Sequence, residues 1–230
     1  MLAELKNVTR YYQQEGVTTR NLIIDQVSLG IEENESLAVI GPSGSGKSTL
    51  LNILGSLDKP SSGKVVLDGA EVDLLDEKEL AAIRNRFIGF VFQQHHLLPQ
   101  LTLIENVRLP VLPVKDKAKQ REATDRAHNL IERVGLKTLV HRRPAHLSVG
   151  ECQRAAVVRA LVNQPRLLLA DEPTGSLDSE HAMQLAQLLG ELNREQNLAV
   201  VVVTHSMEVA SYMGKIYRIT SEKLQLTEKR

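Results

Sequence analysis

Residues 41–48, which read Gly-Pro-Ser-Gly-Ser-Gly-Lys-Ser, carry the clearest chemistry in the chain. They match the phosphate-loop pattern, in which glycines let backbone N–H groups curl around phosphates and a helix N-terminus points at them. Lys47 supplies a positive charge and Ser48 a hydroxyl for Mg²⁺. A chance turn rich in glycine and serine would not need the strand before and the helix after that we expect here. The predicted nucleotide-binding residues are Gly41, Pro42, Ser43, Gly44, Ser45, Gly46, Lys47, Ser48 and Thr49.

Two adjacent carboxylates, Asp171 and Glu172, follow the apolar residues 167–170. Open α/β sheets place ligands at the carboxyl ends of their strands. Successive side chains on a strand point in opposite directions, which predicts Asp171 as a Mg²⁺ ligand and Glu172 as the group that polarises the attacking water. Taken alone, such a strand end is an ordinary strand-to-turn boundary. The phosphate loop favours the catalytic interpretation because phosphoryl transfer to water needs both groups.

Residues 147–151 read Leu-Ser-Val-Gly-Glu. Ser148 and Glu151 fit a capping box, so on their own these residues predict only a well-started helix. Here, however, the chain resembles the ABC ATPase family, whose signature is Leu-Ser-Gly-Gly-Gln/Glu and whose other motifs occur in the same order. The resemblance implies a homodimer in which Ser148, Gly150 and Glu151 contact the nucleotide bound by a second copy. A helix start of this kind is also a physically suitable anion site.

The resemblance implies roles for further residues. Tyr12 fits the aromatic residue that stacks on adenine, with Tyr11 as the alternative, although either residue suits a strand surface equally well. His205 resembles the switch histidine, and its alternative role is a helix cap that Ser206 can also provide. Gln93 resembles the glutamine that senses Mg²⁺ and water. The family pattern then gives Glu172, His205 and Gln93 as catalytic residues, ATP and Mg²⁺ as cofactors, Mg²⁺ contacts at Ser48, Gln93 and Asp171, and dimer contacts at Ser176, Leu177 and Asp178.

One position departs from the family signature, because Val149 stands where the first glycine is usual. A β-branched residue restricts the backbone and adds bulk where close approach to phosphate is needed. We therefore expect Val149 to slow closure or hydrolysis. Cys152 is expected to be a helix-packing residue. The spacing of His95, His96, His146 and Cys152 matches no zinc pattern.

The elements that must position these residues alternate along the chain. Apolar and alternating stretches predict strands at residues 2–8, 22–31, 36–40, 64–67, 70–72, 88–92, 167–170 and 200–203. Polar residues 11–20 predict a hairpin-like connection. Periodic patterns and start signals predict helices at residues 48–57, 77–85, 115–135, 181–196 and 207–213.

This order predicts an α/β fold: a P-loop NTPase core of the RecA-like type with a mostly parallel sheet, an N-terminal antiparallel β subdomain and an inserted α-helical lobe. We expect one ABC ATPase domain over residues 1–230. Within it, residues 1–94 and 159–230 form the nucleotide-binding core with its β subdomain, and residues 95–158 form the helical lobe.

Composition narrows the partners and the location. The 230 residues contain 28 basic and 28 acidic side chains, so no net charge draws the chain toward nucleic acid. The single cysteine excludes an internal disulfide and fits a reducing compartment. No apolar run approaches the roughly 18 residues of a membrane span, and the N-terminus has no signal core. The resemblance therefore implies a peripheral protein at the cytoplasmic face of the inner (plasma) membrane, bound to integral permease subunits.

Residues 94–99, Gln-His-His-Leu-Leu-Pro, resemble the subfamily of lipoprotein-releasing and macrolide-exporting ATPases (LolD/MacB-like), and the lipoprotein-releasing branch most. The resemblance implies that residues 93–101 grip a coupling helix of the permease; the alternative is that their leucines only pack the lobe. A DNA-repair ATPase would need long coiled coils, which prolines 99, 110 and 113 exclude. A ribosome-acting ATPase would carry two cassettes. A weakly hydrolysing or regulatory module, or a soluble non-transport ABC ATPase, stays open.

Overall fold

The computed structural model of the chain describes residues 1–12 and 20–229. The strands are β1 Ala3–Tyr12, β2 Asn21–Ile31, β3 Ser36–Ile40, β4 Ser62–Leu67, β5 Ala70–Glu71, β6 Ile88–Val91, β7 Leu167–Asp171, β8 Ala199–Thr204, β9 Lys215–Thr220 and β10 Lys223–Lys229. The α-helices are α1 Lys47–Leu54, α2 Glu77–Phe87, α3 Leu103–Arg108, α4 Lys117–Arg133, α5 Val149–Leu161, α6 Ser179–Gln196 and α7 Met207–Ala210.

The strands form two sheets. One is antiparallel, in the order β2-β1-β4-β5, and the other has the order β10-β9-β3-β8-β7-β6. In the second sheet β6, β7, β8, β3 and β9 run parallel to their neighbours, while β10 pairs antiparallel with β9. The predicted fold class is confirmed: a P-loop α/β core carries an antiparallel β subdomain and a group of helices inserted between β6 and β7.

The parallel sheet is buried between two hydrophobic cores because its strands are apolar on both faces. Along β3, Leu37 and Val39 face a core shared with the antiparallel sheet and α1. Ala38 and Ile40 face the other core, which α6 shares with the inserted helices α3, α4 and α5. Both cores therefore meet at the strands whose carboxyl ends hold the candidate site.

Some element boundaries differ from the sequence-based expectation. Helix α1 ends at Leu54, not at residue 57, and Gly55 follows it. A Cβ atom on Gly55 would lie 2.5 Å from the Phe90 ring, so the chain passes β6 too closely for any side chain. Helix α7 ends at Ala210, short of residue 213. Over residues 1–12 and 20–229, no helix has both the length and the apolar character needed to cross a membrane.

The hairpin of β9 and β10 was not predicted from the sequence. Its apolar residues are interleaved with charged ones, and only Ile216 and Ile219 of β9 are fully buried. At the other end of the chain, β1 pairs antiparallel with β2, as a hairpin-like connection requires. Residues 13–19 of that predicted connection lie outside the described residues.

Candidate nucleotide-binding site

Residues 41–46 form a tight loop between β3 and α1. Gly44 and Gly46 adopt left-handed backbone angles, with φ of 78° and 93°. A Cβ atom on Gly46 would lie 2.8 Å from the carbonyl oxygen of Ile23, and one on Gly41 would lie 2.9 Å from that of Ile219. Glycine is therefore required at Gly44 by the backbone angle, at Gly41 by close packing and at Gly46 by both.

Lys47 lies inside this loop and is 6% exposed. Its Nζ atom donates hydrogen bonds of 2.9 Å to the carbonyl oxygens of Gly41 and Pro42. The buried Oγ atom of Ser45 has no hydrogen-bond partner within the part of the chain described. A buried ammonium group and an unpaired buried hydroxyl, both on a loop at a helix N-terminus, fit a polyphosphate ligand.

The hydroxyl of Ser48 donates a 2.9 Å hydrogen bond to Oδ1 of Asp171. This contact joins the first turn of α1 to the end of β7. Burial raises the pKa of Asp171, and the nearby Glu172 raises it further, whereas the Ser48 hydrogen bond lowers it. A hydroxyl and a carboxylate are hard oxygen ligands of the kind that Mg²⁺ takes together with phosphate and water, so these two residues fit a magnesium ion.

Glu172 is positioned differently from the sequence-based expectation. Strand β7 ends at Asp171, and Glu172 has a φ of 43°, so strand alternation does not set its direction. This left-handed angle costs a non-glycine residue on the order of 1 kcal/mol or more, and such strain is concentrated at functional sites. The Glu172 carboxylate accepts from the His205 backbone N–H and lies 3.0 Å from His205 Nδ1. Its other oxygen lies 3.9 Å from Lys47 Nζ.

His205 directly follows β8, and its side chain is 65% exposed. Ser206, not His205, caps α7, because the Ser206 hydroxyl accepts a hydrogen bond from the Val209 backbone N–H. The His205 imidazole is therefore left to pair with Glu172. The structure thus brings Lys47, Ser48, Asp171, Glu172 and His205 together at one edge of the sheet.

Gln93 lies two residues beyond β6 and is exposed. Its backbone oxygen is 3.5 Å from the Ser176 hydroxyl, and its Nε2 atom lies 3.0 Å from the position that a Cβ atom on Gly175 would take. Among the described residues, Gln93 makes no hydrogen bond to Ser48 or Asp171. It packs instead against the turn that leads away from Glu172.

Tyr11 and Tyr12 end β1, where they pair with Leu22 and Asn21 of β2, next to the Ile23 that touches Gly46. Both tyrosines therefore lie at the phosphate-loop end of the antiparallel sheet. Tyr12 is 44% exposed, and its hydroxyl donates a 2.9 Å hydrogen bond to Asp58. A guanidinium group lies 4.5 Å from each ring centroid, Arg10 on Tyr12 and Arg20 on Tyr11. The greater exposure of Tyr12 favours it over Tyr11 as the surface for a base.

The N-terminus of α5 has the predicted capping box. The Ser148 hydroxyl accepts from the Glu151 backbone N–H at 3.2 Å, and the Glu151 carboxylate accepts from the Ser148 N–H at 2.6 Å. These hydrogen bonds lower the pKa of Glu151. Val149, the first helical residue, is 52% exposed. In the described part of the chain, residues 148–151 make no hydrogen bond to residues 41–48, to Asp171 or to Glu172.

The structure adds His181, which the sequence did not single out. Asp178 caps α6 by accepting a 2.9 Å hydrogen bond from the His181 backbone N–H, and the His181 imidazole lies 2.7 Å from the same carboxylate. These contacts lower the pKa of Asp178. The imidazole also lies 3.5 Å from the position that a Cβ atom on Gly150 would take. The loop of Ser176, Leu177 and Asp178 is thus packed beside the start of α5.

The sheet order, the glycine loop between β3 and α1 and the carboxylates at the end of β7 together define a P-loop nucleoside triphosphatase. A sequence profile described as "ABC transporter" matches residues 24–175, and the chain belongs to this family. It is an ABC ATPase that binds ATP and uses Mg²⁺.

Solved structures share this fold over nearly the whole chain. The cassette MJ0796, described as a bacterial ABC transporter cassette in a dimeric structure, is 40% identical, covers 99% of this chain and 98% of its own, and has a TM-score of 0.88. The same cassette in a post-hydrolysis state bound to ADP and Pi gives a TM-score of 0.86. The cbiO1 protein of Clostridium perfringens, part of the transporter complex cbiONQ, is 25% identical, covers 98% of this chain and 87% of its own, and has a TM-score of 0.84.

Proposed function

We propose that this chain is the ATP-hydrolysing subunit of a transporter and powers a membrane permease of the lipoprotein-releasing or macrolide-exporting type. The similarity to MJ0796, over 99% of the chain, supports the transporter role. The observation that carries the proposal is an apolar groove between β6 and the inserted helices, described below, which offers a permease a docking surface.

In the proposed reaction, Lys47 and the N–H groups of residues 41–46 hold the phosphates of ATP. Ser48 and Asp171 hold Mg²⁺, which when bound neutralises charge on the β- and γ-phosphates. Glu172 orients and polarises the attacking water, and His205 keeps the Glu172 carboxylate in place through their 3.0 Å contact. Gln93 lies beside the turn after Glu172, where it would report the state of the site to the helical lobe.

A second copy of the chain completes this site. The start of α5 is an anion-binding helix end that lies apart from its own phosphate loop, so its ligand must come from outside the chain. We infer that Ser148, Gly150 and Glu151 contact the γ-phosphate held by the partner copy. The loop of Ser176, Leu177 and Asp178 packs beside this helix start, as a dimer contact would require.

The groove for the permease has a volume of about 460 Å³. Leu57, Phe90, Phe92 and Pro110 supply its apolar lining. Arg159 closes one side by donating 2.7 Å hydrogen bonds to the backbone oxygens of residues 95 and 96, which fixes the segment that follows Gln93. A short helix with an apolar face fits such a groove. Docking there would hold the chain at the cytoplasmic face of the inner membrane as a peripheral subunit.

The proposed subfamily rests on the sequence of segment 95–99, and the structure gives the exposure of its leucines. Leu97 is buried and packs the lobe, whereas Leu98 is 39% exposed and is available to a partner. The burial of Leu97 fits the alternative in which these leucines only pack the lobe, whereas the exposure of Leu98 favours a partner contact and Leu101 is half-buried. We infer that residues 95–158 act as the lobe that grips the permease within a single domain spanning residues 1–230.

Purification of the tagged chain from membranes tests the proposal. We expect a permease with few membrane spans and a large extracytoplasmic domain to co-purify. Leu57→Arg, which places a charge in the groove, should release the permease and leave the ATPase activity of the isolated chain unchanged. Leu74→Arg is the matched control, because Leu74 is 78% exposed and does not line the groove. Retention of the permease by Leu57→Arg, or its release by Leu74→Arg, would contradict the proposal.

A weakly hydrolysing, regulatory module is the second candidate function. The exposed Val149 favours it, because the side chain projects at the first residue of α5, where the partner's phosphate would approach. The two candidates differ in turnover, which the Val149→Gly variant discussed below measures.

A further inference from the structure

Four basic side chains lie together just before α5. His141, Arg142, Arg143 and His146 are all exposed, and they line an open concavity of about 430 Å³. We call them the basic cluster. Arg142 and Arg143 place two adjacent positive charges here, flanked by two imidazoles, on a chain whose formal net charge is zero.

The basic cluster interacts electrostatically with the carboxylates of Glu105 and Glu151, but not through direct contact. Among the residues that the structure describes, none of its four side chains makes a hydrogen bond or an ion pair. Arginines elsewhere are engaged: Arg10 pairs with Asp58, and Arg133 pairs with Glu195. The charge of the cluster is therefore available to a ligand.

The nearest carboxylates interact electrostatically with the cluster, and they also accept hydrogen bonds within their own helix caps. The pKa of Glu105 is lowered first by hydrogen bonds from Thr102 and then by Arg143 and His141. The pKa of Glu151 is lowered first by its hydrogen bonds in the Ser148 capping box, and Arg142 lowers it by a smaller amount. Both carboxylates accept these bonds through Oε2, as parts of capping boxes at helix N-termini, and among the described residues neither forms an ion pair with Arg142 or Arg143.

The basic cluster is held firmly beside the start of α5. The Arg142 backbone oxygen accepts a 2.8 Å hydrogen bond from the Leu103 N–H, and the Val140 oxygen accepts one of 3.1 Å from the Ile104 N–H, so the segment is fixed to α3. A short 3₁₀ turn, Pro144–His146, then leads into Ser148. The phosphate loop of the same chain instead packs on β2 and β9. The described residues thus show no contact between the basic cluster and the phosphate loop of the same chain.

We propose that the basic cluster contacts the triphosphate of the ATP carried by a second copy of this chain. The inference rests on the proposed dimer and adds a second group of contacts to it. ATP stays anionic when Mg²⁺ is bound. A guanidinium group has several N–H donors, whose arrangement lets two of them bond phosphate oxygens at once. Val149 is expected to hinder close approach of the helix N–H groups. In this proposal the long, exposed side chains of Arg142 and Arg143 supply phosphate contacts that the helix start lacks. The basic cluster of one copy thereby attracts the ATP that the partner copy carries.

The test uses the Glu172→Gln chain, in which bound ATP should not be consumed. Arg142→Ala/Arg143→Ala in that background should weaken ATP-dependent dimerisation about tenfold, the loss of roughly one charge-assisted contact. Sedimentation velocity at low and high salt measures the dimer, and we expect the difference to shrink at high salt because exposed charges are screened. ATP affinity of the monomer, measured at protein concentrations below dimerisation, should not change. Arg142→Lys/Arg143→Lys should retain most of the dimer affinity.

The control is Arg86→Ala/Arg121→Ala, which removes two other exposed arginines that have no partner in the described part of the chain. This variant should dimerise within about twofold of its parent, as expected for surface charges outside an interface. If the Glu172→Gln parent fails to dimerise with ATP, both the proposed function and this inference fall. If the parent dimerises and the Arg142/Arg143 variant dimerises equally tightly, or the control weakens as much, only the basic-cluster proposal is overturned.

Discussion

Two helix N-termini of this chain, the phosphate loop before α1 and the start of α5, are built in opposite ways. At the phosphate loop, side chains from different elements bond to one another: Ser48 to Asp171, and Glu172 to His205. At the start of α5, the Ser148 and Glu151 side chains instead bond locally, each accepting from the other's backbone N–H. Contacts between distant segments assemble the first site from side chains of several elements. The start of α5 is held by its own capping box, and among the described residues it makes no hydrogen bond to the phosphate loop, Asp171 or Glu172. The comparison supports the proposal that the first region binds the nucleotide of its own chain and that the second contacts a nucleotide held by a partner copy.

Burial shows the same contrast. Lys47 is 6% exposed and Val149 is 52% exposed. A buried ammonium group is tolerated only where fixed acceptors surround it, and here two backbone oxygens do so. An exposed valine at a helix start has no such structural requirement. Substitutions in the two regions should therefore act on different steps, ATP binding in the first and closure in the second.

The largest effect is expected from Lys47→Ala. The variant loses a charge that contacts phosphate and two hydrogen bonds that shape the loop, so ATP affinity should fall by about a hundredfold or more. Equilibrium binding of a fluorescent ATP analogue measures this. Lys64→Ala, which removes an exposed ion pair with Glu71, is the control and should bind normally. Normal ATP binding by Lys47→Ala would show that the phosphate loop does not bind ATP through Lys47.

Ser148→Ala should act on the second region alone. We expect about tenfold lower turnover with unchanged ATP affinity of the monomer, and a loss of about 1 kcal/mol in the free energy of unfolding because a helix cap is removed. Thr102→Ala is the matched control, because Thr102 caps α3 in the same manner. It should cost similar stability and leave turnover unchanged. Equal turnover of the two variants would show that Ser148 is only a cap.

Val149→Gly should have the smallest effect, and in the opposite direction. Removing the β-branched side chain frees the helix start to approach phosphate, so turnover should rise about threefold. The same change should lower stability by a few tenths of a kcal/mol or more, because glycine is a poor helix residue. Steady-state ATPase rates and thermal denaturation measure the two quantities. An unchanged or lower rate would show that Val149 does not limit closure.

The parts of the site that the sequence could predict are those with local signals. Continuous apolar runs predict the strands β3, β7 and β8, because these strands are buried on both faces. The glycine pattern predicts the loop, because glycine readily adopts left-handed backbone angles. The capping box at Ser148 is of the same kind. These features required no knowledge of distant contacts.

The features that could not be predicted depend on how distant segments meet. The left-handed backbone at Glu172 follows from where β7 stops pairing, and the contact of His181 with Gly150 follows from the packing of α6 on α5. The β9–β10 hairpin has a mixed pattern that acquires a buried face only beside β3. The sequence likewise could not show that Arg142 and Arg143 form no ion pair within the described residues, since this depends on how α3 and α5 place Glu105 and Glu151.

Dimerisation of the Glu172→Gln chain with ATP and Mg²⁺ tests the central claim most directly. The substitution keeps the size of the side chain and removes the carboxylate that we propose polarises water, so ATP should bind and remain intact. Sedimentation velocity should show a monomer without nucleotide and a stable dimer with ATP, and adding Ser148→Ala should dissociate that dimer. A chain that stays monomeric with bound ATP, or that hydrolyses ATP at the wild-type rate, would contradict the account.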